Sequence, residues 1–592
     1  LASVLALARR RLGAAATWLG WALRGELAMR RREWRRQRDE AALIAASPLF
    51  DADWYRRTYG PIGAQDPARH YVAVGAAEGR EPGPGFDGRA YLAAYPDAAL
   101  EGRSPLLHYL TAGAGRAIVP VGVPPPPLFP PTDEGYRAWL KHYDAGAPAR
   151  AAPDHVAVAA PGAAVPDTAW TVVCVPEVML APGALGLLGA AADDGADVVT
   201  ADDDRVDADG VRSAPRFKPE WDADLLAATG YAGGGFALRS AVLRGLGVVV
   251  PPVQDVLAHL AERVTPARAR HVPAVLFHAR SEMAWQALDL APDLPERPPL
   301  VSVIIPTKER ADLLSRCLDG LLAATDYPAV EVLVIDNGST ERATSLLFRK
   351  LAADPRVRVI AHAAPFDWCA LNNAGARAAR GELLLLLNND VFVQHPGWLA
   401  QMVRHALRPE VGAVGATLLY PDGRLQHAGV VLTPPGLAGH VERFAPGDAP
   451  GPFGSFHAVR SVAAVTGACL LMRRAVFEQV GGLAEGHLPV TFNDVDLCLR
   501  IRAAGLRVLM TPHARLTHME SVSRGSDDTP ERAARRLREW RYMHATWGAA
   551  LAGDPHLSPN YAMMSERLML ASPPRVAARR GLALHPGLTS AR

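Results

Sequence analysis

The chain has 592 residues, enough for several domains with ample cores. Its 63 Lys and Arg against 61 Asp and Glu leave a net charge of +2, which gives no general attraction to nucleic acid. Five widely spaced cysteines without a CxxC pair exclude a disulfide framework or zinc ribbon and fit a reducing, cytoplasmic compartment, and no apolar run is long enough to span a bilayer.

Residues 1–45 read as one basic amphipathic helix, with ten arginines against four acids and Leu12, Trp18, Leu19, Leu23 and Leu27 as apolar surface. Such a helix lies on an anionic membrane face or packs on a partner, so peripheral contact with the inner face of the plasma membrane is expected. The chain opens on Leu1 rather than Met, which leaves room for a preceding segment. Residues 46–118 hold an imperfect repeat. Pro48-Leu-Phe-Asp-Ala-Asp-Trp-Tyr55 is echoed by Pro84-Gly-Phe-Asp-Gly-Arg-Ala-Tyr91, and the segment 69–75 by 107–113. Two helix–turn–helix copies would bury one another's aromatic anchors, with His70 and His108 as packing residues. The pair resembles the short repeats that precede some bacterial polysaccharide glycosyltransferases. Residues 119–149 are expected to be a proline-rich linker.

Residues 150–292 read as a mixed α/β unit. Strands are predicted at 170–175 and 197–200, with a helix at 181–191 between them. The cluster Asp202-Asp-Asp204 is followed by a hairpin-turn sequence and reads as structural. From 298 to 550 strands and helices alternate with short loops. Strands at 300–305, 330–335, 356–360 and 383–387, with helices at 312–324, 341–353 and 370–379, imply a doubly wound α/β sheet. Three strands end in polar loops that open on one sheet edge: Thr307-Lys-Glu-Arg310, Asp336-Asn-Gly-Ser339 and Asn388-Asn-Asp390. The last follows five leucines, the pattern of a strand buried on both faces. Asn-Asn-Asp there fits either a metal site or a turn. No GxGxxG or GxxxxGK[ST] loop is present, so a diphosphate would need another counter-charge, which a metal on Asp390 would supply.

The set Val301-Ser-Val-Ile-Ile-Pro-Thr307, Val334-Ile-Asp-Asn-Gly-Ser339, Leu387-Asn-Asn-Asp390 and Phe492-Asn-Asp-Val-Asp-Leu-Cys-Leu-Arg500 resembles family 2 glycosyltransferases of the GT-A fold, a Rossmann-like mixed sheet with helices on both faces. The resemblance implies that Thr307, Glu309 and Asp336 line the nucleotide of a sugar donor. It places Asn388, Asn389 and Asp390 at the Asp-x-Asp motif, with Asp390 kept as the Mg2+ or Mn2+ ligand and Asn388 replacing the first acid. Asn388 keeps a hydrogen bond to ribose or water but brings no charge. Asp494, in the first turn of the helix 492–505, is the expected general base for an inverting displacement, and Asp496 is structural. His518 is expected to complete the metal shell and Arg524 to contact the donor phosphates. The acceptor side is assigned to 416–429 and 465–472. The arginine-rich helix 531–547 packs on the domain or faces a lipid-linked acceptor, and residues 551–592 form a tail, disordered from 570.

Within 150–292, the segments 201–210, 217–221 and 271–278 resemble the second half of another such domain. There Val175-Pro-Glu177 stands in place of the metal motif, and Asp255 and His278 are expected relics of base and ligand. The expected activity is transfer from a nucleotide-sugar to a growing cell-surface glycan or lipid-linked acceptor. The alternative is a catalytically weak or inactive glycan-binding scaffold. A nucleotidyltransferase is disfavoured by the missing glycine-rich basic loop.

Overall fold

The computed structural model describes residues 27–574 apart from 61, 63–64, 77, 96–97, 99–103, 123–127, 144–150, 193–194, 282–284, 434–436, 520–528, 552, 563–566 and 573. The chain divides into two compact units, Leu1–Leu128 and Phe129–Arg592. Among the described residues no helix is long and apolar enough to cross a membrane.

In the first unit the part of the basic helix that is described runs Leu27–Ala45; residues 1–26 lie outside the described residues. Each repeat copy starts with a helix capped by an aspartate: Asp51 accepts from the amides of Asp53 and Trp54, and Asp87 from Ala90. A second helix follows, entered through Asp66-Pro67 or Ser104-Pro105. Tyr55 Oη lies 2.9 Å from His70 Nδ1, and Tyr91 Oη 2.9 Å from His108 Nδ1. The packing role expected of both histidines is thus a buried tyrosine–histidine hydrogen bond in each copy. A Cβ on Gly75 would lie 1.9 Å from Tyr55 Oη, and one on Gly113 2.1 Å from Tyr91 Oη, so glycine is what lets each hydroxyl reach its histidine.

The second unit contains two mixed sheets. The first comprises β1 (Val156–Ala159), β2 (Trp170–Val173), β3 (Val178–Leu180), β4 (Val198–Val206), β5 (Arg212–Arg216), β6 (Phe236–Arg239) and β7 (Ala269–Ala279), in the order β1-β2-β6-β4-β7-β3 with β5 beside β4. The second comprises β8 (Val301–Thr307), β9 (Val330–Asp336), β10 (Val357–Ala361), β11 (Leu383–Leu387), β12 (Val391–Val393), β13 (Val411–Leu419) and β14 (Leu425–His427). A small hairpin, β15 (Val430–Thr433) and β16 (Leu437–His440), follows. Then β17 (Arg460–Ser461), β18 (Cys469–Arg473) and β19 (Arg507–His518) complete the second sheet, in the order β10-β9-β8-β11-β18-β13-β19-β12. Its first four strands are parallel, as a doubly wound pattern requires, and β18 enters antiparallel.

The leucine run is the spine of this sheet. Leu383, Leu385 and Leu387 pack on the helices Ala311–Ala323 and Trp398–Ala406. Leu384 and Leu386 pack on Trp368–Ala378 and Asn493–Ala503 across the other face. A strand alternates faces, so only a continuous apolar run serves a sheet covered on both sides.

The first sheet repeats most of the second. Its path β2-β6-β4-β7-β3 has the same succession of directions (antiparallel, antiparallel, parallel, antiparallel) as β11-β18-β13-β19-β12. β1 lies parallel to β2 as β8 does to β11, and β5 pairs with β4 as β14 does with β13. Among the described residues no strand of the first sheet corresponds to β9 or β10.

The sequence expectations need two adjustments here. Residues 133–143, assigned to the linker, form a helix that buries Tyr136 and Trp139; the dense proline run ends at Pro131 and aromatic residues at helical spacing follow. The tail packs as far as Ser572: Tyr561, Leu568 and Leu570 share a core with Phe129, Trp139 and Phe217. Residues 575–592 lie outside the described residues. The acidic cluster Asp202, Asp203 and Asp204 sits fully buried on β4, ahead of the hairpin turn into β5 that the sequence implied. Asp203 pairs with Lys218 at 2.6 Å and Arg216 at 2.5 Å, while Asp204 meets Arg212, Tyr136 and His278. Asp202 accepts from the Lys218 amide and from Asn560 Nδ2, each at 2.8 Å. The structural role expected of this cluster is therefore an ionic core, since buried carboxylates need such partners.

Candidate active site

The polar ends of β8, β9 and β11 meet at one edge of the second sheet. Thr307 stands in register with Asp336, and the Asn337 amide donates to the Thr307 carbonyl at 2.9 Å. Asn389 Nδ2 donates to Thr307 Oγ1 at 2.9 Å, joining the third loop to the first. Asp336 Oδ1 accepts the Ser339 amide at 3.0 Å, three residues on in the same loop. Glu309 is placed differently from a nucleotide-lining side chain. Its two oxygens accept from the amides of Thr340 (2.6 Å) and Glu341 (3.0 Å), at the start of the helix Arg342–Leu351. These hydrogen bonds, first that from Thr340, hold its carboxyl below its ordinary value. Glu309 and Arg310 both adopt left-handed backbone, φ 55°, a strained loop that this cap holds in place.

Asp390 is buried at the end of the leucine strand, with His518 Nε2 3.2 Å from its Oδ1. β12 and β19 bring them together: Val391 pairs with His518, and the Met519 amide donates to the Asp390 carbonyl at 3.1 Å. Among the described residues no group of three or more His, Cys, Asp or Glu converges as a metal cage. The pair nevertheless fits two neighbouring ligands of one ion. A separation of 3.2 Å is close to the ~3 Å edge of an octahedron with bonds of about 2.1 Å. Asn388 faces the pair rather than joining it as a charge. Its Nδ2 is 3.5 Å from His518 Nε2, and its Oδ1 accepts from Trp368 Nε1 at 3.4 Å.

Asp494 lies on the acceptor side. Its Oδ2 accepts the Gly467 amide at 2.9 Å and its Oδ1 the Val495 amide at 2.8 Å. The next residue after Gly467 closes the circuit, because the Ala468 carbonyl accepts the Asn388 amide at 3.0 Å. Two adjacent residues, Gly467 and Ala468, therefore carry the Asp494 contact and the metal-motif contact. Gly467 is required there: a Cβ would lie 2.5 Å from Trp368 Cη2. Burial pushes the Asp494 carboxyl above its ordinary value, against the pull of these amides. Phe492 occupies the N-cap position in left-handed backbone (φ 63°) without a side-chain hydrogen bond, and Asn493 donates to the Leu488 and Val490 carbonyls. Asp496 is fully buried between Arg500 (2.8 Å) and Trp547 Nε1 (2.9 Å), as a structural acid. Arg524 lies outside the described residues.

Four residues without an assigned role in the sequence reading support this edge. Gln426 Oε1 is 2.7 Å from His518 Nδ1. The next residue, His427, is fully buried, accepts the Thr466 amide at Nε2 (3.3 Å) and lies 2.8 Å from His440 Nδ1. Trp368 packs over Gly467, and Glu539 accepts the amides of Val490 (2.9 Å) and Thr491 (3.3 Å) ahead of Asp494. Gln426 and His427 fall in the stretch read as acceptor-side strand, but a polar residue in an alternating strand carries no sign of its partner.

In the first sheet the corresponding place is Glu177, whose carbonyl accepts the Arg280 amide at 3.0 Å as Asp390 accepts Met519. By that register Ala279, paired with Val178, stands where His518 does. His278 is one residue out, so its ring lies on the opposite face, 2.6 Å from Asp204. Asp255 is exposed in the first turn of the helix Val253–Arg263. His278 thus does not hold the ligand position, whereas Asp255 keeps the first-turn place in the helix before β7 that Asp494 has in the helix before β19.

The profile of the family described as Glycosyltransferase like family 2 matches residues 298–542. The chain is 38% identical over 423 residues to the uncharacterized protein y4gI of Sinorhizobium fredii, covering 64% of this chain and 46% of that protein. It is 38% identical over 404 residues to the O-antigen biosynthesis protein RfbC of Myxococcus xanthus, covering 61% and 31%. It thus spans less than half the length of either. A third relative, the N-acetylglucosaminyl-diphospho-decaprenol L-rhamnosyltransferase of Mycobacterium tuberculosis, is 28% identical over 286 residues, 42% of this chain and 87% of that enzyme. The sheet of β8–β14 and β17–β19, with its clustered loop ends, is that of a family 2 glycosyltransferase domain in the C-terminal half of the chain.

Proposed function

We propose that the chain is an inverting, metal-dependent glycosyltransferase of GT-A fold, which moves a sugar from a nucleotide-sugar onto a hydroxyl of a growing cell-surface glycan or lipid-linked acceptor. The observation that carries this reading is the placement of Asp494 and the Asp390–His518 pair on either side of Gly467–Ala468. The O-antigen and diphospho-decaprenol relatives support the acceptor class. Asp336, Thr307 and Asn389 bind the nucleotide end of the donor, and Glu309 fixes the loop beneath it. Asp390 and His518 would hold the divalent ion, with donor phosphate and water completing its shell; one imidazole beside one carboxylate favours Mn2+ over Mg2+. The ion, when bound, supplies positive charge against the departing diphosphate. Asp494 accepts the proton of the attacking acceptor hydroxyl, and the amides of Gly467 and Val495 hold it toward that hydroxyl. One displacement inverts the anomeric centre. The first sheet is a transferase-like domain that has given up the nucleotide strands, and the basic helix ending at Ala45 contacts the membrane surface.

The test is transfer or donor hydrolysis across a panel of nucleotide-sugars with Mn2+ or Mg2+. With the fold intact, Asp390→Ala should abolish turnover and Asp494→Asn should cut it by about 10²- to 10⁴-fold. Unchanged turnover in either variant refutes the assignment. No turnover in the wild type with any donor favours the scaffold alternative.

A further inference from the structure

His518 cannot be understood from Asp390 alone. Its ring has two nitrogens, and each faces an oxygen: Nε2 lies 3.2 Å from Asp390 Oδ1, and Nδ1 lies 2.7 Å from Gln426 Oε1. Which atom Gln426 presents depends on the orientation of its amide, and the main chain fixes that orientation. Gln426 Nε2 lies 3.3 Å from the His518 carbonyl, which can only accept. The amide nitrogen therefore points to the backbone, and the amide oxygen points to the ring. An amide oxygen accepts only, so Nδ1 carries a hydrogen. In the neutral imidazole the other nitrogen is then bare, and its lone pair faces a carboxylate. Two electron-rich atoms at 3.2 Å repel unless a positive charge lies between or beside them.

We propose that Gln426 is a positioning residue for the metal site: its buried side-chain amide holds His518 in the Nδ1–H tautomer and aims the bare Nε2 at the ion shared with Asp390. The proposal rests on the metal-dependent reading given above and adds to it a residue that touches neither ion nor substrate. Gln426 suits the task because it is buried (3% exposed) on a strand, β14, that is itself hydrogen-bonded to β13. It meets His518 twice, once at the ring and once at the carbonyl, so the ring has no freedom to turn Nε2 away. A histidine ligand whose second nitrogen donates to a fixed acceptor is oriented and made more basic, and removing such a partner weakens metal binding by about ten- to a hundredfold.

The test is Mn2+ affinity of the full chain, read by electron paramagnetic resonance of free Mn2+, with UDP, GDP or dTDP present in turn. Gln426→Leu, which removes both hydrogen bonds at similar volume, should weaken Mn2+ by about ten- to a hundredfold. Raising Mn2+ should then restore kcat, because the base and the donor site are untouched. Gln426→Glu keeps an acceptor for Nδ1–H and should bind Mn2+ near the wild-type level. Equal affinity in wild type and a folded Gln426→Leu overturns the proposal. So does loss of affinity in Gln426→Glu, which also decides the matter if the leucine variant fails to fold. A wild type that retains no Mn2+ with any diphosphate, or an Asp390→Ala variant that retains it fully, overturns the underlying metal reading as well, and is distinguished by needing no Gln426 variant.

Discussion

Asp224 is where the two sheets of the second unit are clasped together. It sits in the first turn of the helix Ala223–Thr229, beside β1–β7, and takes both arms of Arg408 (2.5 and 3.2 Å) from the turn before β13. Arg507, at the start of β19, reaches it at 2.6 Å and reaches Asp222 at 3.0 Å. The carboxylate is 2% exposed and the Arg408 side chain 8%. Asp224→Asn keeps the shape and removes the charge. Breaking a buried pair from one side costs about 3–5 kcal/mol, since the stranded charge has lost its counter-charge in a poorly solvated place. The low end applies here, about 3 kcal/mol, because Arg408 keeps Glu410 at 2.8 Å and Arg507 keeps Asp222. Adding Arg408→Met should recover most of the loss, which would show that the cost lies in the uncompensated cation. The assay is urea unfolding followed by tryptophan fluorescence and circular dichroism. A single variant within about 1 kcal/mol of wild type would refute the clasp, since that is the size of an exposed pair. The pH dependence has a definite sign. Burial pushes the Asp224 carboxyl up, but Arg507 and Arg408 outweigh it and hold it below its ordinary value. The contribution is then fully present above the unfolded carboxyl value of about 3.9 and is lost as pH falls through the lower folded value. The wild type should shed it in acid; Asp224→Asn has none to shed.

Two further outcomes follow from the active edge. Burial holds the Asp494 carboxyl above its ordinary value, and a base must be ionised, so the acid limb of kcat/KM should lie above about 3.9 and activity should fall as pH drops through it; Asp494→Asn should lose about 10²- to 10⁴-fold in rate and that limb with it. Gly375→Ala would put a Cβ 2.3 Å from Ile304 Cγ2, between the helix Trp368–Ala378 and β8, and should cost about 1–3 kcal/mol, read as a lowered melting temperature with the metal site unchanged.

Much of the second sheet was legible because its signals are local. Five consecutive leucines can only be a strand covered on both faces, and the polar residues that end it stand at the working edge. Asp390 and His518, 128 positions apart, were found through motif order, and Val391 and His518 do pair across two strands. What escaped was set by distant partners. Glu309 looks like a ligand-binding acid in the sequence, but its oxygens belong to the helix that starts at Arg342. Gln426 looks like the outward residue of an alternating strand, and only the fold turns it toward His518. Asp202, Asp203 and Asp204 read as structural, but their partners Lys218, Tyr136 and Asn560 give no local sign of converging on them. His278 failed by one residue: spacing in the chain placed it beside the vanished motif, and strand register places Ala279 there.

The contact between Asn560 and Asp202 has a consequence in time. The two are 358 residues apart in the chain, and the first sheet is otherwise complete at Ala279. At about 5–20 residues per second, synthesis reaches Asn560 roughly 20–70 s after Asp202. Throughout that interval one oxygen of a carboxylate destined for full burial lacks its partner, and the aromatic surface around Phe217 awaits Tyr561. The emerging first sheet is thus an unfinished surface held open by the ribosome's own pace. A chain stopped short of residue 560 would leave that surface permanently exposed, even with every strand of both sheets in place.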